Sequence, residues 1–338
     1  MEYRVNIDAA NETKAGFGKL INDRDPRLLN RVGAFSSLFL FDVKKYSEPV
    51  LVLKTEEPGS KQVLAFAHDR VESVCQDMIN HLINDCIVMG ATPLAVQDLI
   101  VCGKLDKSTA SRIVAACASA CEAQGCVLTG GETTEQPDVV PAGTYILGSS
   151  IVGVVERGSI VDGSRVRVGH VVVALAASGP HTNGYTLIRD LLTRKPELAK
   201  LHVGGSTFLE SVLEPHRCYY QPLRHIFNKL SGMAHITGGG IVENLDRILP
   251  KDVNARIDLA SYCPPPIFKA IKDAGEVSER DMLRAFNLGV GLALVCPREH
   301  STSVMQHLKS EGQESYVIGE IVPGRGVVEC HGSVDYGA

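Results

Sequence analysis

The chain has 338 residues, 44% hydrophobic and 22% charged, a balance that excludes disordered, collagen-like and low-complexity classes. Thirty-four basic residues against 39 acidic give a formal net charge of −5 with no block of one sign, so a nucleic-acid-binding stripe of clustered Lys and Arg is not expected. No apolar run approaches the ~20 residues that span a bilayer, and Met1 to Asn6 lacks the charged-then-apolar layout of a signal peptide. The expectation is a soluble, cytoplasmic protein of about two domains, without nucleic-acid or membrane partners.

Low aromatic content, no tryptophan and 32 glycines point to aliphatic strands joined by glycine-rich connections. In chain order, Pro49 leads into a strand at Val50-Leu51-Val52-Leu53. Residues 72–89 carry apolar side chains at helical spacing, from Val74 and Cys75 to Cys86 and Ile87, with Gly90 and Pro93 as stops. A second helix is predicted over about 108–124, capped by Asp106 or Ser108 and ended by Gly125. Short and longer strands follow at 126–129 and 144–156. Polar, glycine-punctuated sequence at 157–169 marks a boundary, giving an N-terminal domain over 1–165 and a C-terminal domain over 166–338. The second domain begins with a buried strand at 171–177, a loop Ser178-Gly179-Pro180-His181-Thr182-Asn183-Gly184 and a helix over 185–193. A similar step runs through a strand at 234–237, the triplet Gly238-Gly239-Gly240 and a helix at 241–249. Residues 288–296 read as one more apolar strand.

Ten cysteines include Cys117 and Cys121 one helical turn apart, followed by Cys126, but no Cys-x-x-Cys pair. They read as a thiolate metal site or as small core residues in a reducing compartment. The core reading is favoured because Cys117 and Cys121 continue the apolar pattern of their helix.

The polar stripe of helix 72–89 presents Asp77, His81, Asn84 and Asp85 on successive turns. A solvated helix face is the ordinary explanation. Short Asp and Asn side chains are poor helix formers, however, and suit a hard cation held through oxygen. Two acidic segments placed directly after strands are candidates to converge on it: Thr55-Glu56-Glu57-Pro58-Gly59-Ser60-Lys61 and Gly130-Gly131-Glu132-Thr133-Thr134-Glu135. The Gly238–Gly240 triplet and the Ser178–Gly184 loop, each leading into a helix, offer free N–H groups to an anion. Their alternative role is a tight strand-to-helix connection.

Asp85 to Pro93 reads D-C-I-V-M-G-A-T-P and fits a D-x-x-x-x-G-A-x-P signature. With it run, collinearly, Val5 to Asn11, Cys102-Gly103-Lys104-Leu105-Asp106, Gly130 to Thr133, Ile160 to Ser164, Ser178 to Tyr185, Ile236 to Gly240 with Glu243-Asn244, and Phe286 to Gly291. In these segments the chain resembles the phosphoribosylformylglycinamidine cyclo-ligase (aminoimidazole ribonucleotide synthetase) family. The resemblance implies a two-domain α/β (α+β) fold and a homodimer joined through strands of the N-terminal domains. It also implies ATP with Mg²⁺, a phosphorylated ribotide substrate and ring closure in purine biosynthesis. Another phosphoryl-transfer member of the superfamily, or a nucleotide-binding regulatory paralogue without turnover, is the alternative.

Roles carry over where positions match. Lys61 would contact ATP phosphates. Asp77, Asn84, Asp85, Gly130, Gly131 and Glu132 would surround the nucleotide, and Glu56, Asp77, Asp85 and Glu132 would hold Mg²⁺. His181 would transfer a proton or contact substrate, with Asn183 beside it, and Thr237, Gly238, Gly239 and Gly240 would take the ribotide phosphate. Departures from the family pattern are T-E-E-P-G-S-K in place of T-D-G-V-G-T-K, Asp138 in place of glycine, and Leu288 in place of cysteine.

Overall fold

Pro49 has no N–H to give to a ladder and fixes φ near the extended region, so it is tolerated as the first residue of a strand. That strand, β1, runs Pro49–Glu56 in the computed structural model, which describes residues 12, 16–21, 25–30 and 33–337. The Val5–Asn11 segment lies outside the described residues. The chain divides into two units, the first built from 1–58, 62–87 and 91–158 and the second from 59–61, 88–90 and 159–338.

In the first unit, β2 (Thr92–Cys102), β3 (Val127–Glu135) and β4 (Tyr145–Glu156) complete a sheet of order β1-β4-β2-β3, antiparallel except for β2 with β3. Helix α1 (Lys61–Ala67) follows β1, and α2 (Val71–Ile87) and α3 (Lys107–Ala123) cover one sheet face. Asp106 caps α3 by accepting the Thr109 N–H at 2.7 Å. The other face carries Leu51, Leu53, Leu99, Ile146 and Val152 exposed, with Leu53 opposite Val152 across the β1–β4 ladder. Alternation along a strand sends neighbours to opposite faces, so β1 turns Leu51 and Leu53 outward and Val52, Lys54 and Glu56 toward the helices.

Central β2 was not expected. Pro93 at its start read only as a helix stop, and its run Leu94 to Cys102 is interrupted by Gln97 and Asp98. The segment expected as a loop at 130–135 is also strand, because Gly131 to Glu135 pair in parallel with Asp98 to Cys102. A register shift at Gly130, whose φ is +124°, is a bulge that only glycine accommodates easily. Likewise Thr55 and Glu56 end β1 and Lys61 starts α1, so the acidic loop shrinks to four residues.

In the second unit, β5 (Val171–Ala176), β8 (Gly232–His235), β9 (Val253–Asp258), β10 (Val290–Cys296), β11 (Ser315–Pro323) and β12 (Val328–His331) form a sheet of order β12-β9-β11-β5-β10-β8. Only β12 with β9 is parallel; β6 (His202–Val203) and β7 (Ser206–Thr207) make a separate ribbon. Helices α4 (Tyr185–Arg194), α5 (Phe208–Leu213), α6 (Tyr220–Leu223), α7 (Gly240–Leu245), α8 (Pro266–Gly275), α9 (Glu279–Ala285) and α10 (Arg298–Ser310) surround it, α7 against β8 and β10 and α10 against β5 and β11. Every residue of β10 is buried, which is why 288–296 reads as one apolar run rather than an alternation.

All ten cysteines are free thiols, and Cys75, Cys117 and Cys121 are buried. A hydrogen bond with Cys75 and desolvation raise the Cys117 pKa. The core reading of these cysteines is the one the packing supports. No helix among the described residues is long and apolar enough to cross a membrane.

Helix α2 lies so close to β4 that a Cβ at Gly153 would sit 2.3 Å from the Cys86 sulfur and 3.1 Å from the Thr92 carbonyl. Gly153→Ala is therefore expected to destabilise the protein by about 1–3 kcal/mol. A lowered urea midpoint with unchanged slope is the readout.

Candidate functional site

Helix α2 has a buried polar side as well as a buried apolar one. Asp77 and Asn84 are fully buried, with Asn80 and His81 nearly so, which rules out an ordinary solvated face for this stripe. At its C-terminal end, Asp85 meets β1. Lys54 Nζ lies 2.9 Å from Asp85 Oδ2 and 2.9 Å from Glu56 Oε2, and His81 Nε2 is 3.8 Å from each of the same two oxygens. Burial works against the Lys54 charge, but the hydrogen bonds to Asp85 and Glu56 outweigh it and raise the Lys54 pKa. Lys54 was missed because a lysine in an alternating strand looks like a solvated residue. Its i, i+2 relation to Glu56 was the available signal, since it places both side chains on one face.

The expected four-carboxylate set does not assemble. Glu56 and Asp85 come together. Asp77 lies eight residues before Asp85, about 12 Å along the helix axis, too far to share one ion's inner shell. Glu132 is exposed, and its ladder partner is Leu99, so it shares the uncovered sheet face with Leu99 while α2 packs on the opposite face.

Gly130, Gly131 and Glu132 instead border a cavity of about 140 Å³ with Phe17, Ile21 and the stretch Gly33 to Ser37. Ser37 donates its hydroxyl to the Thr129 carbonyl at 2.7 Å, which holds that stretch against β3. Asp98 also lines this cavity and was not foreseen. A Cβ at Gly131 would lie 2.0 Å from both the Asp98 carbonyl and its Oδ1, so the glycine is required by the packed carboxyl. Burial pushes the Asp98 carboxyl up to about 7.

In the second unit, Lys61 is fully buried, with its ammonium donating to the Glu214 carbonyl at 2.8 Å and lying 5.5 Å from the Tyr185 ring centroid. His181 is buried with φ of +58°, a conformation in which few residues other than glycine settle. The Ser178 N–H donates to His181 Nε2 at 3.3 Å, which places the ring proton of the neutral form on Nδ1. Asn183 Oδ1 points toward Gly238, 3.4 Å from where a Cβ would be, so the two loops meet. Asn183 Nδ2 is buried and has no hydrogen-bond acceptor among the described residues.

Two of the triplet's three N–H groups are not free donors. The Gly239 N–H donates to the Arg284 carbonyl at 2.9 Å and the Gly240 N–H to the Thr237 carbonyl at 3.0 Å. Helix α7 behind them is six residues rather than the nine predicted, because the chain tightens into a 3₁₀ turn at Asp246–Ile248. What the glycines provide is close approach: a Cβ on Gly240 would meet the Leu283 carbonyl at 1.8 Å.

Two further histidines join His181. Its ring stacks on His216 with centroids 3.9 Å apart and planes 19° apart, and His216 Nε2 is 3.0 Å from His235 Nε2. One nitrogen from each histidine lies within 4.8 Å of the others. Near-parallel stacked rings cannot aim their in-plane lone pairs at one ion, so this is a hydrogen-bonded stack and not a metal centre. Neither His216 nor His235 stands in a segment that marked it as special.

Together these features define a two-unit α+β protein whose glycine-rich connections and buried polar groups are gathered on fixed elements. The "AIR synthase related protein, N-terminal domain" family matches residues 43–155 and its C-terminal domain family residues 167–331. A protein of Chromobacterium violaceum named phosphoribosylformylglycinamidine cyclo-ligase is 41% identical over 330 residues, covering 95% of each chain. One of the same name from Bacillus cytotoxicus is 36% identical over 338 residues, 98% of this chain and 97% of that one. The chain belongs to the AIR synthase related family. Solved structures share the fold at low identity. Thiamine-monophosphate kinase from Stenotrophomonas maltophilia aligns with TM-score 0.66 and 18% identity over 97% of this chain and 96% of its own. E. coli HypE, a hydrogenase maturation protein, aligns with 0.65 and 17% over 98% and 95%.

The raised Asp98 pKa fixes the sign of a pH effect. Between the ordinary aspartate value near 3.8 and about 7, the folded state keeps a proton that the unfolded chain has released. Stability is therefore lost as pH rises through that window, by up to about 4 kcal/mol above it. Asp98→Asn removes the titration, so the melting temperature of the variant should exceed that of the parent at pH 8 and converge with it near pH 4.

Proposed function

We infer that this chain is an ATP-dependent cyclo-ligase that closes formylglycinamidine ribonucleotide to aminoimidazole ribonucleotide in purine biosynthesis. The observation that carries the reading is near-full-length similarity, at about two residues in five, to proteins bearing that name. The geometry supports it through Asn183, whose amide oxygen faces Gly238 while its buried Nδ2 lacks an acceptor that a ribotide oxygen would supply.

In this reading the γ-phosphoryl group of ATP passes to the formyl amide oxygen, releasing ADP. The amidine nitrogen then attacks the activated carbon, the C–O bond breaks, and phosphate leaves as the nitrogen loses a proton. His181 is the proposed group for proton movement, with Asn183 orienting the substrate. Lys61 is proposed for the ATP phosphates on the strength of its family position. The Thr237–Gly240 segment is proposed to border the ribotide phosphate, with close backbone approach as the role of Gly239 and Gly240.

We further propose an N-terminal domain over 1–165 for nucleotide and dimerisation and a C-terminal domain over 166–338 for the ribotide. For Mg²⁺ the hard oxygens of Glu56 and Asp85 suit the ion, and the ammonium already held between them shows that the pair takes up one positive charge. When bound there, Mg²⁺ would screen phosphate charge. Asp77 and Asn84 remain proposed nucleotide contacts, whereas Gly130, Gly131 and Glu132 border the separate cavity beside Phe17 and Ser37. The exposed apolar face of Leu51, Leu53, Leu99, Ile146 and Val152 supports a homodimer formed through the first unit's sheet. Ten free thiols fit a reducing, cytoplasmic setting.

Purified protein with Mg²⁺-ATP and formylglycinamidine ribonucleotide should form ADP and aminoimidazole ribonucleotide in equal amounts. Absence of both products would sink the reading, and ATP binding without turnover would point to the regulatory paralogue. His181→Ala should lower kcat about 10²-fold or more with little change in KM for ATP. For the dimer, Leu53→Glu should shift the sedimenting species from two chains to one, and an unchanged sedimentation coefficient would count against the sheet-face interface.

A further inference from the structure

Lys54 has no part in the scheme above, yet it holds the centre of the acidic pair. Its Nζ is equidistant from Glu56 Oε2 and Asp85 Oδ2 at 2.9 Å, while the His81 ring stands 3.8 Å from both oxygens. The lysine side chain is 37% exposed, against 22% for Glu56 and 18% for Asp85, so the carboxylates are the more sheltered partners. Two carboxylates that converge without a cation repel each other and leave part of their charge desolvated. A tethered ammonium removes that cost. Because Lys54 is two residues from Glu56 on the same strand face, it is delivered to the pair by the fold itself.

We propose that Lys54 is a built-in counter-cation that occupies the Glu56–Asp85 pair and holds off free divalent metal until a phosphorylated ligand arrives. The inference rests on the reading of Glu56 and Asp85 as metal ligands. An ammonium and a divalent ion cannot share the space between two oxygens that both contact Nζ at 2.9 Å, so metal entry requires Lys54 to swing out. Its long flexible stem and partial exposure allow that movement. The anionic phosphates of an incoming nucleotide give the displaced ammonium a new partner, which couples metal uptake to nucleotide. A free divalent ion alone offers no such compensation.

The test is Mn²⁺ binding to the full chain without nucleotide, read by electron paramagnetic resonance and repeated with ADP. Lys54→Met and Lys54→Gln should each bind Mn²⁺ at least about tenfold more tightly than the parent in the absence of nucleotide. Lys54→Arg, which keeps the charge, should stay weak. Adding Glu56→Gln to Lys54→Met should abolish the gain, tying it to this pair. ADP should tighten Mn²⁺ binding to the parent more than to Lys54→Met. Equal or weaker binding by both neutral variants, with native circular dichroism, would overturn the proposal, as would a gain that survives Glu56→Gln. Ring-closure activity does not enter the measurement, so an inactive chain that shows the gain would sink the cyclo-ligase reading and leave the counter-cation standing.

Discussion

The constraint on which the acidic site depends is that helix Val71–Ile87 is buried on its polar side. A helix with one wet face can leave carboxylates to water. This one encloses Asp77, Asn80, His81 and Asn84, so each ionisable or amide group there must be matched within the fold. Asp85, in the last turn and mostly sheltered, finds its match in a lysine from the neighbouring strand. The apolar side of the same helix leaves no room for adjustment, since Gly153 lets it approach β4 until sulfur nearly touches backbone. Packing on one side therefore sets where the polar groups of the other side can be.

The two-residue repeat of β1 carries this logic into the sheet. Lys54 and Glu56 face the helices, and Leu51 and Leu53 face outward on the uncovered surface. One eight-residue strand thus serves an ionic cluster and an apolar surface without either residue set intruding on the other. The same parity separates Glu132 from Asp85. A sequence reading can place both in acidic segments after strands, but only the ladder to Leu99 reveals that the sheet stands between them.

Long periodic elements were legible from sequence, and short-range exceptions were not. Helix α2 and its stop at Gly90 follow from spacing, as do the fully apolar β5 and β10. Strand β2 was hidden because Pro93 at its start and Asp98 within it both argue against a central strand. The stretch 130–135 looked like a loop because paired glycines usually punctuate, whereas here a bulge and a packed carboxyl demand them. For the site, Asn183 and Gly238 are brought together, a contact that neither motif specified. Two of the expected donors are not free, since the N–H groups of Gly239 and Gly240 are spent on carbonyls that no local pattern reveals. His216 and His235 come from separate elements, so only tertiary structure unites them.

Glutamate at position 56 gains a reason from this arrangement. Measured against the family's aspartate, its extra methylene would displace a metal ligand, and taken alone that reads as damage. With lysine at position 54 the length becomes a requirement. An aspartate there would end about 1.5 Å short, stretching a 2.9 Å ion pair beyond hydrogen-bonding range and leaving Asp85 to share the ammonium with nothing. Lys54 and Glu56 are thus a matched pair. Each accounts for the other: without Lys54 the Glu56 and Asp85 carboxylates converge with no ammonium between them, and without Glu56 the ammonium keeps Asp85 alone of the two.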